Sequence, residues 1–322
     1  MSVRLRTAVV GVGYLGRFHA QKYAAHPEAD LVAVVDVDAE RGRAVAGELG
    51  VPWLGDYHQL AGRVDCASVA VPTQHHHAVA ADLLAAGIDV LVEKPLTPTV
   101  AEGKSLVELA VRGERVLQVG HLERFNPAVL AIEGKIAQPR FIECQRLAPF
   151  SERGTDVDVV LDLMIHDLDL ILHMVQSPVR AVEAVGVPVL TASVDICNAR
   201  LRFANGCIAN VTASRVSLKR ERKLRIFQPD AYFSVDFGDR RVRTCRREPD
   251  EQGQPALVIE DVEVPAHDAL ALEIDAFLSS VRARETPLVS GWDGLRALEV
   301  AHVVRESIDT EMRAAQAASP PG

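Results

Sequence analysis

The sequence predicts an α/β chain: a doubly wound parallel sheet over residues 1–120, followed by an α+β domain over 121–322 built on an open, mostly antiparallel sheet. Three observations carry that prediction. Apolar runs and helical stretches alternate up to Gly120, strand-like runs with turn signals follow one another after it, and the first apolar run closes on a glycine-spaced turn. With 322 residues the chain exceeds what one core ordinarily organises, so two domains are the natural division.

Taken in order, LRTAVVGVG (5–13) is a buried-strand run ending in glycines, and 14–26 reads as a helix. LVAVVD (31–36) is a second apolar run, with a helix at 39–49. CASVAVP (66–72), DVLVEKP (89–95) and RVLQVG (115–120) repeat the pattern, with helices between them. Such runs suit strands covered on both faces, and their alternation with helices implies right-handed crossovers and a parallel sheet. Past Gly120, a strong helix is expected near 159–175, then strands at 179–188, 193–204, 207–217, 222–228, 231–237 and 240–247. Asn205-Gly206 within FANGC is a hairpin signal. Helical stretches near 268–284 and 292–315 close the chain and are expected to pack back on the first domain, while the tail QAASPPG is expected to fray.

Composition narrows the function classes. Hydrophobic residues make up 48% and charged residues 25%, the balance of a soluble globular protein. A net charge of −9 without a basic cluster argues against nucleic acid as a partner, though a local pocket can still oppose that sign for an anionic small ligand. The five cysteines, Cys66, Cys144, Cys197, Cys207 and Cys245, form no CxxC pair and read as reduced thiols of a cytoplasmic protein. The first residues lack a signal-peptide pattern, and no apolar run reaches the roughly 18 residues of a membrane span.

Gly11-x-Gly13-x-x-Gly16 follows a predicted strand and opens a predicted helix, the context a Rossmann dinucleotide-binding turn requires. Asp36 ends the second apolar run. A carboxylate there accepts from ribose hydroxyls and repels a 2′-phosphate, so NAD is favoured over NADP, while Arg41 and Arg43 nearby leave NADP open. Tyr14 and Leu15, inside the turn, join the expected cofactor set. The bland alternative is a glycine turn in an unrelated α/β protein.

Lys94 follows another strand at its carboxyl end, where ligands of open α/β sheets bind. Beside a nicotinamide it can hold a substrate hydroxyl; by itself it reads equally as a solvated lysine. On the 158–175 helix, Leu161, Ile165, Leu168, Leu172 and Val175 form one apolar face, while Asp162, His166, Asp169 and His173 share another. An aspartate one turn from a histidine orients the imidazole for base work. The same face also reads as plain solvated surface or as a metal stripe; no third element supplies matching ligands, so no metal is expected. His75, His76 and His77 invite a zinc reading, but adjacent helical residues diverge by about 100° and cannot easily share one ion.

GVGYLG, Asp36, VPTQHH, EKP and Asp162-x-x-x-His166 stand in an order that resembles the Gfo/Idh/MocA family, glucose–fructose oxidoreductase, inositol dehydrogenase and their relatives, over nearly the whole chain. The resemblance implies a Rossmann domain joined to an open antiparallel sheet, NAD(P)-dependent chemistry at a sugar or cyclitol carbon, and a homodimer or homotetramer formed on the open sheet face. It implies a catalytic trio of Lys94, Asp162 and His166, with Glu93 and Lys94 of EKP, Pro72, Thr73 and His76 bordering the cofactor. One departure stands out: where many members carry Gly-Gly shortly before the catalytic aspartate, this chain has TDVDVVLD (155–162). VGHLERFNPAV (119–129), VVLDLMIHDLDLIL (159–172) and KLRIFQPDAY (223–232) are similar to the branch that oxidises C3 of UDP-N-acetylglucosamine in amino-sugar and lipid A synthesis. Under that resemblance Arg124, Asn126 and Arg215 are candidates for the diphosphate or the sugar, against the alternative of interface or rim side chains. Three functions follow: a nucleotide-sugar dehydrogenase, a dehydrogenase of a free sugar or cyclitol, and a non-catalytic NAD-sensing regulator.

Overall fold

The computed structural model describes residues 3–151 and 157–318; Thr155 and Asp156 of the TDVDVVLD segment and the tail end Ser319–Gly322 lie outside them. The chain divides into two compact units, Met1–Phe125 with His267–Leu298, and Asn126–Ala266 with Glu299–Gly322. The division therefore falls after Phe125, and a later stretch returns to the first unit.

In chain order the first unit holds β1 (Leu5–Val10), α1 (Tyr14–Ala25), β2 (Ala29–Val35), α2 (Ala39–Leu49), β3 (Trp53–Leu54), β4 (Cys66–Val69), α3 (His76–Ala85), β5 (Asp89–Glu93), α4 (Val100–Arg112) and β6 (Leu117–Gly120). The strands form one parallel sheet in the order β3-β2-β1-β4-β5-β6. Val9, Val10, Ala67, Val69, Leu91 and Val92 are buried, which explains strands that read as continuous apolar runs. Because β2 and β4 flank β1, the strand order reverses there, and the turns after these carboxyl ends form the crevice where such sheets bind ligands.

The second unit begins with α5 (Pro127–Glu133) and β7 (Phe141–Leu147). A π-helical turn, Val160–Met164, runs into α6 (Ile165–Val175). Then come β8 (Val179–Val187), β9 (Ile196–Phe203), β10 (Ile208–Ser214), β11 (Glu221–Gln228), β12 (Ala231–Asp236), β13 (Arg241–Pro249) and β14 (Pro255–Val262). The eight strands run β14-β13-β12-β11-β7-β10-β9-β8, antiparallel throughout except for the parallel pair β7 and β10. The expected hairpin joins β9 to β10: Gly206 takes φ +85°, and Asn205 Oδ1 accepts from Cys207 N at 3.0 Å. One face of the sheet buries Ile142, Cys144, Leu224, Ile226, Val211 and Leu201; the other carries half-buried Phe141, Phe227 and Tyr232 stacked in a row.

α7 (Ala269–Ala283) belongs to the first unit, where Leu270, Ile274, Phe277, Leu278 and Val281 pack with Val9, Tyr23, Val34 and Leu91 on one face of the parallel sheet. α8 (Gly291–Ala318) starts in the first unit and from Glu299 belongs to the second. Among the described residues, no helix is long and apolar enough to cross a membrane, and all five cysteines are free thiols.

Candidate active site

The glycine turn after β1 has the shape its spacing predicts. Gly11 has φ +83°, and a Cβ there would stand 2.8 Å from Ala70 O. A Cβ on Gly16 would stand 1.8 Å from Gly11 O, so α1 closes on its own turn only without a side chain. At Gly13, by contrast, a Cβ would meet nothing within 4 Å, and Gly13 caps α1 with no side-chain hydrogen bond. Open space against uncapped helix amides is the donor set a pyrophosphate takes, so these residues fit NAD. Tyr14 is exposed, edge-on to Phe18 at 5.3 Å, and Leu15 is half-buried.

Asp36 follows β2 and is buried. Val12 N donates to its Oδ2 at 2.9 Å, Asp38 N to its Oδ1 at 2.9 Å, and Arg41 adds Nε and Nη2 at 2.9 and 2.7 Å. Burial pushes this carboxyl up, but the Arg41 guanidinium and the two amides outweigh it and hold it below the usual range.

Pro72 and Thr73 follow β4, exposed and half-buried. The His76 imidazole, expected at the pocket edge, is instead 1% exposed, with Nδ1 2.8 Å from Pro95 O and Nε2 2.9 Å from Val71 O. The two nitrogens face carbonyls of the turns after β4 and β5, and the single N–H of the neutral ring donates to one of them. Burial pushes its pKa down against the pull of those carbonyls. His75 is exposed and His77 half-buried.

Glu93 ends β5, and the turn after it carries half-buried Lys94 and a cis peptide to Pro95. Beneath it lies a buried cluster that the sequence reading missed. His19 of α1 places Nε2 2.9 Å from Glu93 Oε1 and Nδ1 3.1 Å from Ser68 Oγ, which Tyr23 OH meets at 2.8 Å. Lys94 N donates to Glu93 Oε2 at 3.3 Å. A Cβ on Gly120 would come within 3.0 Å of the Glu93 carboxylate, so glycine leaves that carboxylate its room. Glu273 of α7 completes the cluster: His19, Glu93 and Glu273 each offer an atom within 4.8 Å of the others. Glu273 is fully buried and neither of its carboxylate oxygens has a hydrogen-bond partner; burial and then Glu93 push its carboxyl well above the usual range.

In the second unit, Asp162 lies in the π-helical turn and His166 in the first turn of α6, both half-buried. π turns of this kind collect at functional sites. The four-residue polar stripe expected on a uniform helix is corrected: Asp169 is buried, and His173 Nε2 pairs with Glu133 Oε1 of α5. The apolar face is as expected, with Leu161, Ile165, Leu168, Leu172 and Val175 all buried. Asp158 Oδ1 accepts from Val160 N and Leu161 N at 3.0 and 3.1 Å, and Arg305 Nε lies 2.6 Å from Asp158 Oδ2, which fixes the start of the turn. Sequence reasoning also missed Arg146 of β7, which forks onto Asp167 with bonds of 2.9 and 2.7 Å. Burial works against the charged guanidinium, but Asp167, and more weakly Asp162, lift its pKa.

The three substrate candidates each have partners within the protein. Arg124 is buried 3.7 Å from Asp293, within the first unit. Asn126 caps α5, its Oδ1 accepting from Ala128 N at 3.1 Å. Arg215 is buried and donates to Asp195 Oδ1 (2.8 Å), Val157 O (2.8 Å), Thr191 Oγ1 (3.1 Å) and Ser193 Oγ (2.6 Å).

Comparison with known proteins assigns the chain to a family. Residues 5–121 match the oxidoreductase family model described as an NAD-binding Rossmann fold, and 128–233 match the Gfo/Idh/MocA C-terminal domain. The chain is similar to the UDP-N-acetylglucosamine 3-dehydrogenase of Acidithiobacillus ferrooxidans, 40% identical across 95% of this chain and 98% of that protein. A solved structure of the dehydrogenase of that name and organism superposes with a TM-score of 0.90 at 39% identity, covering 96% of this chain and 99% of the other. The scyllo-inositol 2-dehydrogenase of Bacillus subtilis is 28% identical, over 93% of each chain.

Proposed function

The chain belongs to the Gfo/Idh/MocA oxidoreductase family, and from that premise we propose that it oxidises the C3 hydroxyl of UDP-N-acetylglucosamine with NAD. The observation that carries the reading is the likeness to a UDP-N-acetylglucosamine 3-dehydrogenase along 95% of the chain. Lys94, Asp162 and His166, the trio the family resemblance implies, support the same reading.

When bound, NAD would supply the acceptor for the hydride that leaves the carbinol carbon. Gly11, Gly13, Gly16 and the first amides of α1 would hold its pyrophosphate, Asp36 would take the adenosine ribose, and Pro72, Thr73, Glu93 and Lys94 would border the nicotinamide. Lys94 and His166 are the groups assigned to the substrate's hydroxyl, one of them taking its proton, with Asp162 orienting the imidazole. The first unit serves as the cofactor domain and the second as the substrate and assembly domain. The half-buried aromatic row Phe141, Phe227 and Tyr232 supports assembly through the sheet face into a homodimer or homotetramer. Buried free thiols support a cytoplasmic setting, and a 3-oxo amino sugar suits onward amination for lipopolysaccharide.

The B. subtilis likeness favours a second reading, oxidation of a free cyclitol. A panel of UDP-sugars and free inositols with NAD or NADP, followed by absorbance of the reduced cofactor, tests both. Turnover of UDP-N-acetylglucosamine alone is expected. Turnover of inositol without UDP-sugars decides for the second reading, and none with any sugar leaves an NAD-sensing regulator.

A further inference from the structure

The Asp36 carboxylate offers roughly four lone-pair positions, and all are taken by the Val12 and Asp38 amides and the two Arg41 bonds. The two amide donors are backbone, and the surrounding side chains fix them. Trp53 Nε1 donates to Asp36 O at 3.0 Å, and its ring lies so close to Gly42 that a Cβ there would stand 2.2 Å away. Arg43 is also committed, its guanidinium 4.9 Å over the same ring. Arg41 differs: its side chain is 46% exposed, and its other contact is Asp38 Oδ2 at 3.3 Å, itself on the surface.

We propose that Arg41 is an internal occupant of the ribose subsite and the residue that sets the preference between NAD and NADP. The proposal rests on the reading of Asp36 as the ribose acceptor. Two ribose hydroxyls can donate to Asp36 only when the Arg41 fork lets go, so Arg41 opposes NAD. A 2′-phosphate meets the opposite situation. The guanidinium already covers the carboxylate that would repel it, and a planar fork binds phosphate oxygens well. Arg41 thus weakens the favoured cofactor and strengthens the disfavoured one, narrowing a discrimination that Asp36 alone would make wide.

The test is calorimetric titration of the purified protein with NAD and with NADP, for wild type, Arg41→Ala and Arg41→Lys. Because the Arg41 side chain is half-exposed, Arg41→Ala is expected to bind NAD about three- to tenfold tighter and NADP weaker by a similar factor. Arg41→Lys, which keeps the charge without the fork, is expected to gain on NAD while keeping most NADP binding. Unchanged or weaker NAD binding in both variants overturns the proposal. Wild-type protein that binds neither cofactor overturns the reading of the site itself, and this proposal with it.

Discussion

Glu93 and Glu273 hold carboxylate oxygens within 4.8 Å of each other inside the first unit, and only Glu93 is supplied with donors. Burial, and then the neighbouring Glu93, push the Glu273 carboxyl well above the usual range. The donors from His19 and the Lys94 amide sit on Glu93, so the proton of the pair belongs on Glu273. The turn that carries Lys94 thus rests on a cluster built from α1, β5 and α7.

A pH signature follows for Glu273. Its carboxyl is raised in the folded state above the usual 4.5. Below pH 4.5 both states hold the proton and nothing is lost. As pH rises above that value the unfolded chain ionises and the folded one does not, so folding stability declines until the raised pKa is passed. Glu273→Gln, a neutral isostere, removes that decline. The melting temperature of the variant relative to wild type is expected to climb between pH 5 and 8; a constant offset contradicts a neutral Glu273.

His76 has the opposite slope. Its pKa is lowered from 6.5 by burial, so below pH 6.5 the unfolded chain takes a proton that the folded imidazole resists. His76→Gln is expected to gain stability relative to wild type as pH falls from 7 to 5, in denaturant titrations at each pH. A difference that ignores pH would assign His76 a purely steric role. Glu273 weakens the fold above its range and His76 below its own, so the two confine the stability maximum from either side.

How much of this was legible depends on distance along the chain. The glycine turn, Asp36 and the Asp162–His166 pair are local spacings; the turn takes the shape its glycines require, whereas a π-helical turn separates Asp162 from the regular helix of His166. The His19–Glu93–Glu273 cluster joins three elements from both ends of the unit, and no periodicity marks it. Arg41 is visible as a nearby charge, but its fork on Asp36 is a matter of rotamer. β7 was missed because FIECQRL places Glu143 and Gln145 on the open face and buries Arg146 against Asp167, so it lacks the apolar run of a strand. β14 is an edge strand with exposed Leu257 and Ile259, paired only with β13. Arg124 and Arg215 looked like ligand arginines because burial against Asp293 and Asp195 cannot be read from neighbours in sequence.

Arg215 is expected to matter for stability rather than for substrate. Burial alone would raise the Asp195 carboxyl, but Thr191 and Leu190 amides, the Thr191 hydroxyl and Arg215 hold it well below the usual range. Arg215→Leu leaves that buried charge without its partner, at a cost of about 2–4 kcal/mol in urea unfolding. The KM for the sugar should move little at a temperature where the variant is folded. A raised KM with unchanged stability would restore Arg215 as a ligand.

The proton-handling assignment makes the sharpest demand. General acid–base groups typically contribute about 10²- to 10⁴-fold to turnover. Lys94→Ala and His166→Ala should therefore each lower kcat by that order, while calorimetric NAD affinity stays near wild type, because neither side chain holds the pyrophosphate or the adenosine ribose. Asp162→Asn keeps the shape of the side chain but removes the charge assigned to orienting His166, so a smaller loss of kcat is expected. Arg146 stays paired with Asp167 in that variant, which keeps the helix start in place and separates the electrostatic effect from unfolding. Near-normal turnover in both the Lys94 and the His166 variants would remove the assignment, whatever the substrate proves to be.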